Sequence, residues 1–177
     1  MRIVAGKFGG RIIADTQGNN THPMSEKIRG ALFNSLGDIE GLNILDAFTG
    51  TGAVAIEAVS RGAASVRALD VDADAFKTAS ANVASLKLNS QIDVQRINVK
   101  AWSNRNQSTS FDIVIADMPF EEVNDRMLEK LHKHIKLNGL LVLNLPADFR
   151  PREYSYLEIV REKSYGDAKL EFYRRIS

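Results

Sequence analysis

Asp46-Ala47-Phe48-Thr49-Gly50-Thr51-Gly52-Ala53 is the stretch that decides how this chain folds. The residues leading into it, 43–48, read as a strand, and those leaving it, 53–61, as a helix stopped by Gly62. Two glycines one residue apart at such a junction permit positive φ and leave the backbone open to a ligand. The helix beyond aims its free N–H groups at the same spot.

Downstream, strand and helix keep alternating. A second strand spans 65–71, and Asp72 caps a helix with Phe76, Ala79 and Val83 on one face. Strands follow at 92–97 and at Phe111–Ala116, the latter a continuous buried-type run. Met127, Leu128, Leu131 and Ile135 predict a helix over 123–135, and Asn138-Gly139 turns the chain into a fifth strand at 140–143. Residues 155–161 and 168–174 read as a closing antiparallel pair. Such alternation means an α/β fold, a mostly parallel sheet covered on both faces. Ligands bind such sheets beyond the C-terminal strand ends, where strand order reverses. Upstream, Ile3-Val4 and Ile12-Ile13 around Gly9-Gly10 predict a hairpin over 2–14, and Gly18-Asn19-Asn20 a loop. Ser25 caps a helix with Ile28, Ala31, Leu32 and Leu36 on its apolar face, and Gly37 stops it. The chain thus divides into an N-terminal hairpin-and-helix extension, 1–36, and a sheet domain, 37–177.

With 177 residues, 44% of them hydrophobic, the chain can bury a full core. The absence of cysteine excludes disulfides, Cys-based zinc sites and thiol catalysis, and with three histidines no metal site is expected. No apolar run reaches the roughly 18 residues of a membrane span, and the first residues lack a signal-peptide core, so a cytoplasmic protein is expected. The net charge of +1 is unevenly spread. Residues 1–36 carry five bases (Arg2, Lys7, Arg11, Lys27 and Arg29) against two acids, whereas 37–149 carry fifteen acids against eleven bases. Those five bases are candidate phosphate contacts; the alternative is a solvated surface with chance clustering.

The residues after each strand carry the chemistry. Asp70, ending the second strand, can accept both hydroxyls of a ribose. Gly50-x-Gly52 with this acid also approaches a dinucleotide fingerprint. Asp46 argues against a dinucleotide, because a carboxylate there would repel a pyrophosphate and would suit the ammonium of a methionine moiety. S-adenosylmethionine is therefore the expected cofactor, held by Asp46, Phe48, Gly50, Gly52, Asp70 and Asn98, the last placed to bond an adenine edge. The fourth strand runs into Asp117-Met118-Pro119-Phe120. The lone pair of an exocyclic base amine is conjugated with its ring, which makes it a poor nucleophile. A carboxylate accepting its hydrogens would push the nitrogen toward a nucleophilic form. Pro119 would fix the turn, and the Phe120 ring would stack on a flipped-out base. Asp117, Pro119 and Phe120 are the candidate catalytic residues.

With these motifs the chain resembles the bacterial 16S ribosomal RNA guanine-N2 methyltransferases of the RsmD type over nearly its whole length. The likeness runs through Met1 to Arg11, Pro23 to Asn34, Leu45-Asp46-Ala47-Phe48-Thr49-Gly50-Thr51-Gly52, Ser60-Arg61-Gly62-Ala63, Tyr165-Gly166-Asp167 and Phe172-Tyr173-Arg174-Arg175. It implies a Rossmann-like class I methyltransferase sheet with a small N-terminal β-hairpin extension. It implies S-adenosylmethionine at Asp46, Gly50, Gly52, Asp70 and Asn98, a guanine at Asp117, Pro119 and Phe120, and ribosomal RNA or a small ribosomal subunit particle against the basic N-terminal residues; a monomer is expected. The chain departs from the family's usual Asp-Pro-Pro-Tyr with Asp-Met-Pro-Phe, from Arg-Pro-Thr with His22-Pro23-Met24, and from an aspartate with Asn98. Competing readings are a DNA adenine-N6 methyltransferase, a non-catalytic RNA-binding assembly protein with a decayed site, and a dehydrogenase. The short chain disfavours the first, and Asp46 the last; Met118 is the main support for the second.

Overall fold

A computed structural model describes residues 1–16 and 23–177. The loop expected at Gly18-Asn19-Asn20 and the departure at His22 lie outside them. In chain order the elements are α1 (Glu26–Leu36), β1 (Asn43–Asp46), α2 (Ala53–Ser60), β2 (Ser65–Asp70), α3 (Ala73–Ser85), β3 (Ile92–Arg96), α4 (Val99–Arg105) and β4 (Phe111–Ala116). A 3-10 turn at Phe120–Glu122 leads to α5 (Asp125–His132), β5 (Ile135–Pro146), β6 (Leu157–Tyr165) and β7 (Ala168–Arg175).

The seven strands form one sheet in the order β3-β2-β1-β4-β5-β7-β6. The first five are parallel, and β7 runs antiparallel between β5 and β6. Strand order reverses between β1 and β4, so their C-terminal ends flank the crevice where such sheets take ligands. Alternation along each strand feeds two cores. Ile44, Ile113, Ile115, Val142, Leu170 and Phe172 pack on one face with residues of α1, α2 and α3. Leu45, Val114, Leu141, Leu143 and Leu145 pack on the other with Trp102 of α4 and Leu128 and Leu131 of α5.

Caps set several boundaries. The side chains of Ser25, Asp72 and Asn124 accept N–H groups from the first turns of α1, α3 and α5, and Gly37 ends α1 at φ 73°. The helix expected over 123–135 is shorter than its apolar spacing predicts: Asn124 caps it, and Ile135 already opens β5, paired with Phe111. Residues 136–139 bulge out of that ladder, so Asn138-Gly139 is an irregularity inside β5 rather than the turn before it.

The N-terminal segment turns out and back with one antiparallel bridge, Arg2 to Ile12, where a two-stranded ladder was expected. The two arms of this hairpin bond to each other, Ile3 N to Arg11 O, Gly10 N to Ile3 O and Ile13 N to Met1 O, and its backbone also bonds to helix side chains. Val4 and Ala5 donate to the Glu57 carboxylate, Phe8 donates to Ser60 Oγ, and Asn82 both donates to and accepts from Ala14. Ile3, Ile13 and Met24 are buried in the same core as the sheet.

Candidate active site

A cavity of about 690 Å³ opens over the crevice between β1 and β4. Its wall brings together four separated stretches: Pro23-Met24-Ser25, Phe48 to Thr51, Asp70 to Asp72, and Asp117 to Glu122. Ile97, Asn98 and Val99 close one side, and Asn144 with Asp167 and Ala168 another. The volume suits a ligand of cofactor size.

At the β1 end, Asp46 is wholly buried just behind this wall. Its Oδ2 accepts from Thr49 Oγ1 at 2.6 Å, and its Oδ1 has no hydrogen-bond partner among the described residues. Burial, helped by the nearby charges of Asp117 and Asp70 and opposed by the Thr49 bond and the Ala55 backbone amide, pushes its pKa up to about 7. A buried carboxylate with an unmatched oxygen calls for a donor or a cation.

The two glycines divide their work. Gly50 turns at φ 54° and faces open space where a side chain would project. Gly52 has φ 82°, but a Cβ there would lie 3.3 Å from Ala79 Cβ of α3. Its missing side chain admits a helix, where the sequence suggested room for a ligand. At the β2 end, Asp70 accepts the Gly50 and Asp72 amides at 2.8 and 2.9 Å. These bonds hold its carboxylate at the cavity wall with lone pairs to spare.

Asn98 departs from expectation. Its Oδ1 caps α4, accepting from Lys100 N at 2.9 Å and Ala101 N at 3.4 Å. The acceptor proposed for an adenine edge is therefore committed to the helix, and only the amide nitrogen remains for a ligand. The helix itself escaped the sequence reading, although asparagine before Val99 and Trp102 is an N-cap signal.

At the β4 end, Asp117 continues the strand's inward alternation. Asn144 Nδ2 donates to its Oδ1 at 2.8 Å. Burial raises its pKa to about 6, against the lowering bonds from Asn144 and the Met24 backbone. Pro119 extends the turn, and Phe120, 38% exposed, opens the 3-10 helix on the cavity wall. Met118 is 2% exposed, packed into the core under α5. Packing of this thioether thus anchors the turn where a second proline would stiffen it.

The five basic candidates separate. Arg2, Lys7, Arg11 and Lys27 are exposed. Arg29 is not: it is fully buried, paired with Glu57 at 3.5 Å and donating to the Met24 and Arg2 carbonyls. Its place on an RNA-facing surface is withdrawn, because a guanidinium so enclosed presents no charge to phosphate. Lys27 lies in the first turn of α1, and Arg2 N bonds to Glu26 there, next to the cavity residues Ser25 and Ile28. The Lys7 backbone is tied to Ser60 at the far end of α2. The residue missed outright is Asn144, the one polar side chain in the run Leu140 to Leu145.

The family model described as "Conserved hypothetical protein 95" matches residues 1–174. The Escherichia coli K12 protein "Ribosomal RNA small subunit methyltransferase D" is 31% identical over 143 residues, covering 80% of this chain and 69% of its own. The Bacillus subtilis protein YlbH is 26% identical over 99% of both chains. Among solved structures, the Escherichia coli protein yhhF superposes with a TM-score of 0.88 at 25% identity over 99% of this chain and 98% of that one. The fold is that of the class I methyltransferases. With the Gly-rich turn, Asp117-x-Pro119-aromatic and this match along its length, the chain belongs to the conserved hypothetical protein 95 family, that of the ribosomal RNA small subunit methyltransferase D proteins.

Proposed function

We propose that this protein transfers a methyl group from S-adenosylmethionine to the exocyclic N2 amine of a guanine in small-subunit ribosomal RNA. It does so as a cytoplasmic monomer acting on the RNA or on a small-subunit particle. One observation carries the reading: Asp117, at the β4 end, shares a single cavity with the Gly50 loop and Asp70. S-adenosylmethionine supplies an electrophilic methyl on a sulfonium. The residues present fit it. The negative charge of Asp46 behind the wall suits its ammonium, Asp70 its ribose hydroxyls, the open face of Gly50 its close approach, and the Asn98 amide nitrogen its adenine.

On the base side, Phe120 offers a stacking face to a nucleotide turned out of its helix. Asp117 accepts hydrogens of the amine and draws its lone pair out of conjugation, and its carboxylate takes up the proton the nitrogen sheds. Pro119 fixes where the carboxylate and backbone carbonyls point. Most of the acceleration comes from such placement and charge.

The test is methyl transfer from labelled cofactor to small-subunit particles and to free RNA, with mapping of the modified base. Asp117→Ala is expected to keep S-adenosylhomocysteine affinity and to lower the transfer rate by about 10²-fold or more. In the wild type the rate is expected to fall on the acid side of about pH 6, where the carboxyl already carries a proton and can no longer take up the one the nitrogen sheds. Unchanged transfer by Asp117→Ala, or modification confined to adenine, refutes the assignment.

A further inference from the structure

Asn144 stands near the C-terminal end of β5, opposite Leu170 of β7 and beside the β4 end. It is 7% exposed and lines the cavity. Asp117 can only accept while ionised, so the amide nitrogen of Asn144 must face it, and the 2.8 Å bond fixes that orientation. The Asn144 oxygen then points elsewhere; it is enclosed in the free protein, so a ligand reaches it only as the side chain turns toward the cavity, and it has no hydrogen-bond partner among the described residues. An orphaned buried acceptor weakens a fold, and a leucine would match the neighbouring Leu141, Leu143 and Leu145. The amide is therefore explained by something the free protein does not contain: a donor that arrives with the substrate.

The chemistry of that donor follows from its neighbour. Asp117 accepts from an exocyclic amine. On guanine the ring atom next to the amine carbon on the same edge is N1, which carries a hydrogen; on adenine the corresponding N1 is an acceptor. We propose that Asn144 selects guanine, its Oδ1 accepting the N1–H while Asp117 accepts the N2 amine. Two adjacent acceptors match the donor–donor edge of guanine. Adenine presented by its amine would set its N1 lone pair against the Asn144 oxygen and leave both unpaired. A site built to bond a substrate N–H rejects the analogue that lacks it far more strongly than shape alone can. The inference rests on the guanine reading of the site and assigns its specificity to one residue.

The experiment uses the full chain and synthetic RNA in which the mapped target guanine is replaced by 2-aminopurine. That base keeps the amine but has an unprotonated N1. The wild type is expected to lose about tenfold or more in kcat/KM on this substitution. Asn144→Leu is expected to be slower on guanine and to lose most of that discrimination, because the oxygen that senses N1 is gone. Any intrinsic difference in amine reactivity affects both enzymes alike and cancels in the ratio of ratios. S-adenosylhomocysteine calorimetry reports whether the variant is folded; Asn144→Ser replaces it if it is not.

A residue that merely positions Asp117 would slow both substrates equally and leave the ratio at its wild-type value. That result overturns the proposal, as does a wild-type ratio near one. The two failures are distinguishable: guanine methylated without N1 discrimination rejects Asn144 alone, and no guanine methylation at all rejects the underlying function with it.

Discussion

Asp46 is sealed from solvent with one oxygen unmatched, and its pKa is driven up mainly by burial. A carboxyl with a raised native pKa favours the folded state while protonated. Its contribution is full below the unfolded value near 3.8 and is lost as pH climbs to about 7. The ligand-free protein is therefore expected to lose stability over that range, and Asp46→Asn to flatten the slope and raise Tm at pH 7.5. In a domain of this size each kcal/mol regained is worth about 2–4 °C. Thermal melts at several pH values check this, and an unchanged slope in the variant rejects it. The same substitution should weaken S-adenosylhomocysteine binding, because the charge that faces the ammonium is gone. At this scale the sequence disclosed the acids at the ends of β1, β2 and β4, because a carboxylate after an apolar strand is conspicuous. It disclosed neither the buried Arg29 nor Asn144. An arginine reads as surface until its partner Glu57, 28 residues away, is seen beside it. Asn144 gains meaning only when β5 lies against β4.

Among the elements, α2 organises the N-terminal side. Both oxygens of Glu57 are used: the carboxylate accepts from the Val4 and Ala5 amides and pairs with Arg61 at 2.8 Å and Arg29 at 3.5 Å. Glu57→Ala would leave a buried guanidinium without its partner and two backbone donors unpaired. It is expected to cost about 3–5 kcal/mol in urea unfolding. Amide exchange should also speed at Val4 and Ala5; protection unchanged there would show that the segment is held by Ile3 and Ile13 packing alone. A continuous apolar run made β4 legible to the residue, and caps made the starts of α1 and α3 legible. Short elements and element junctions were not. Helix α4 has seven residues, too few to show a repeat, and Ile135 sits at helical spacing from Leu131 while belonging to a strand in the same core.

Over the whole molecule, positive charge lies at two distances from the cavity. Arg2 and Lys27 stand by the first turn of α1 at its rim, while Lys7 lies a helix length away. Replacing Arg2 and Lys27 together by alanine is expected to weaken RNA binding and to reduce its logarithmic salt slope by roughly 1.5, as for two released counterions. Lys7→Ala should change the slope less; equal effects would mean that RNA runs the full length of α2. The sheet itself carries a consequence for synthesis on the ribosome. Strand β7 separates β5 from β6 and pairs with both, and the chain makes it after either. Until residues 168–175 have left the exit tunnel, β6 has no neighbour, and the apolar edge of β5 from Leu140 to Leu145 stands bare. A nascent chain paused at that point carries an open sheet edge suited to pairing with other chains.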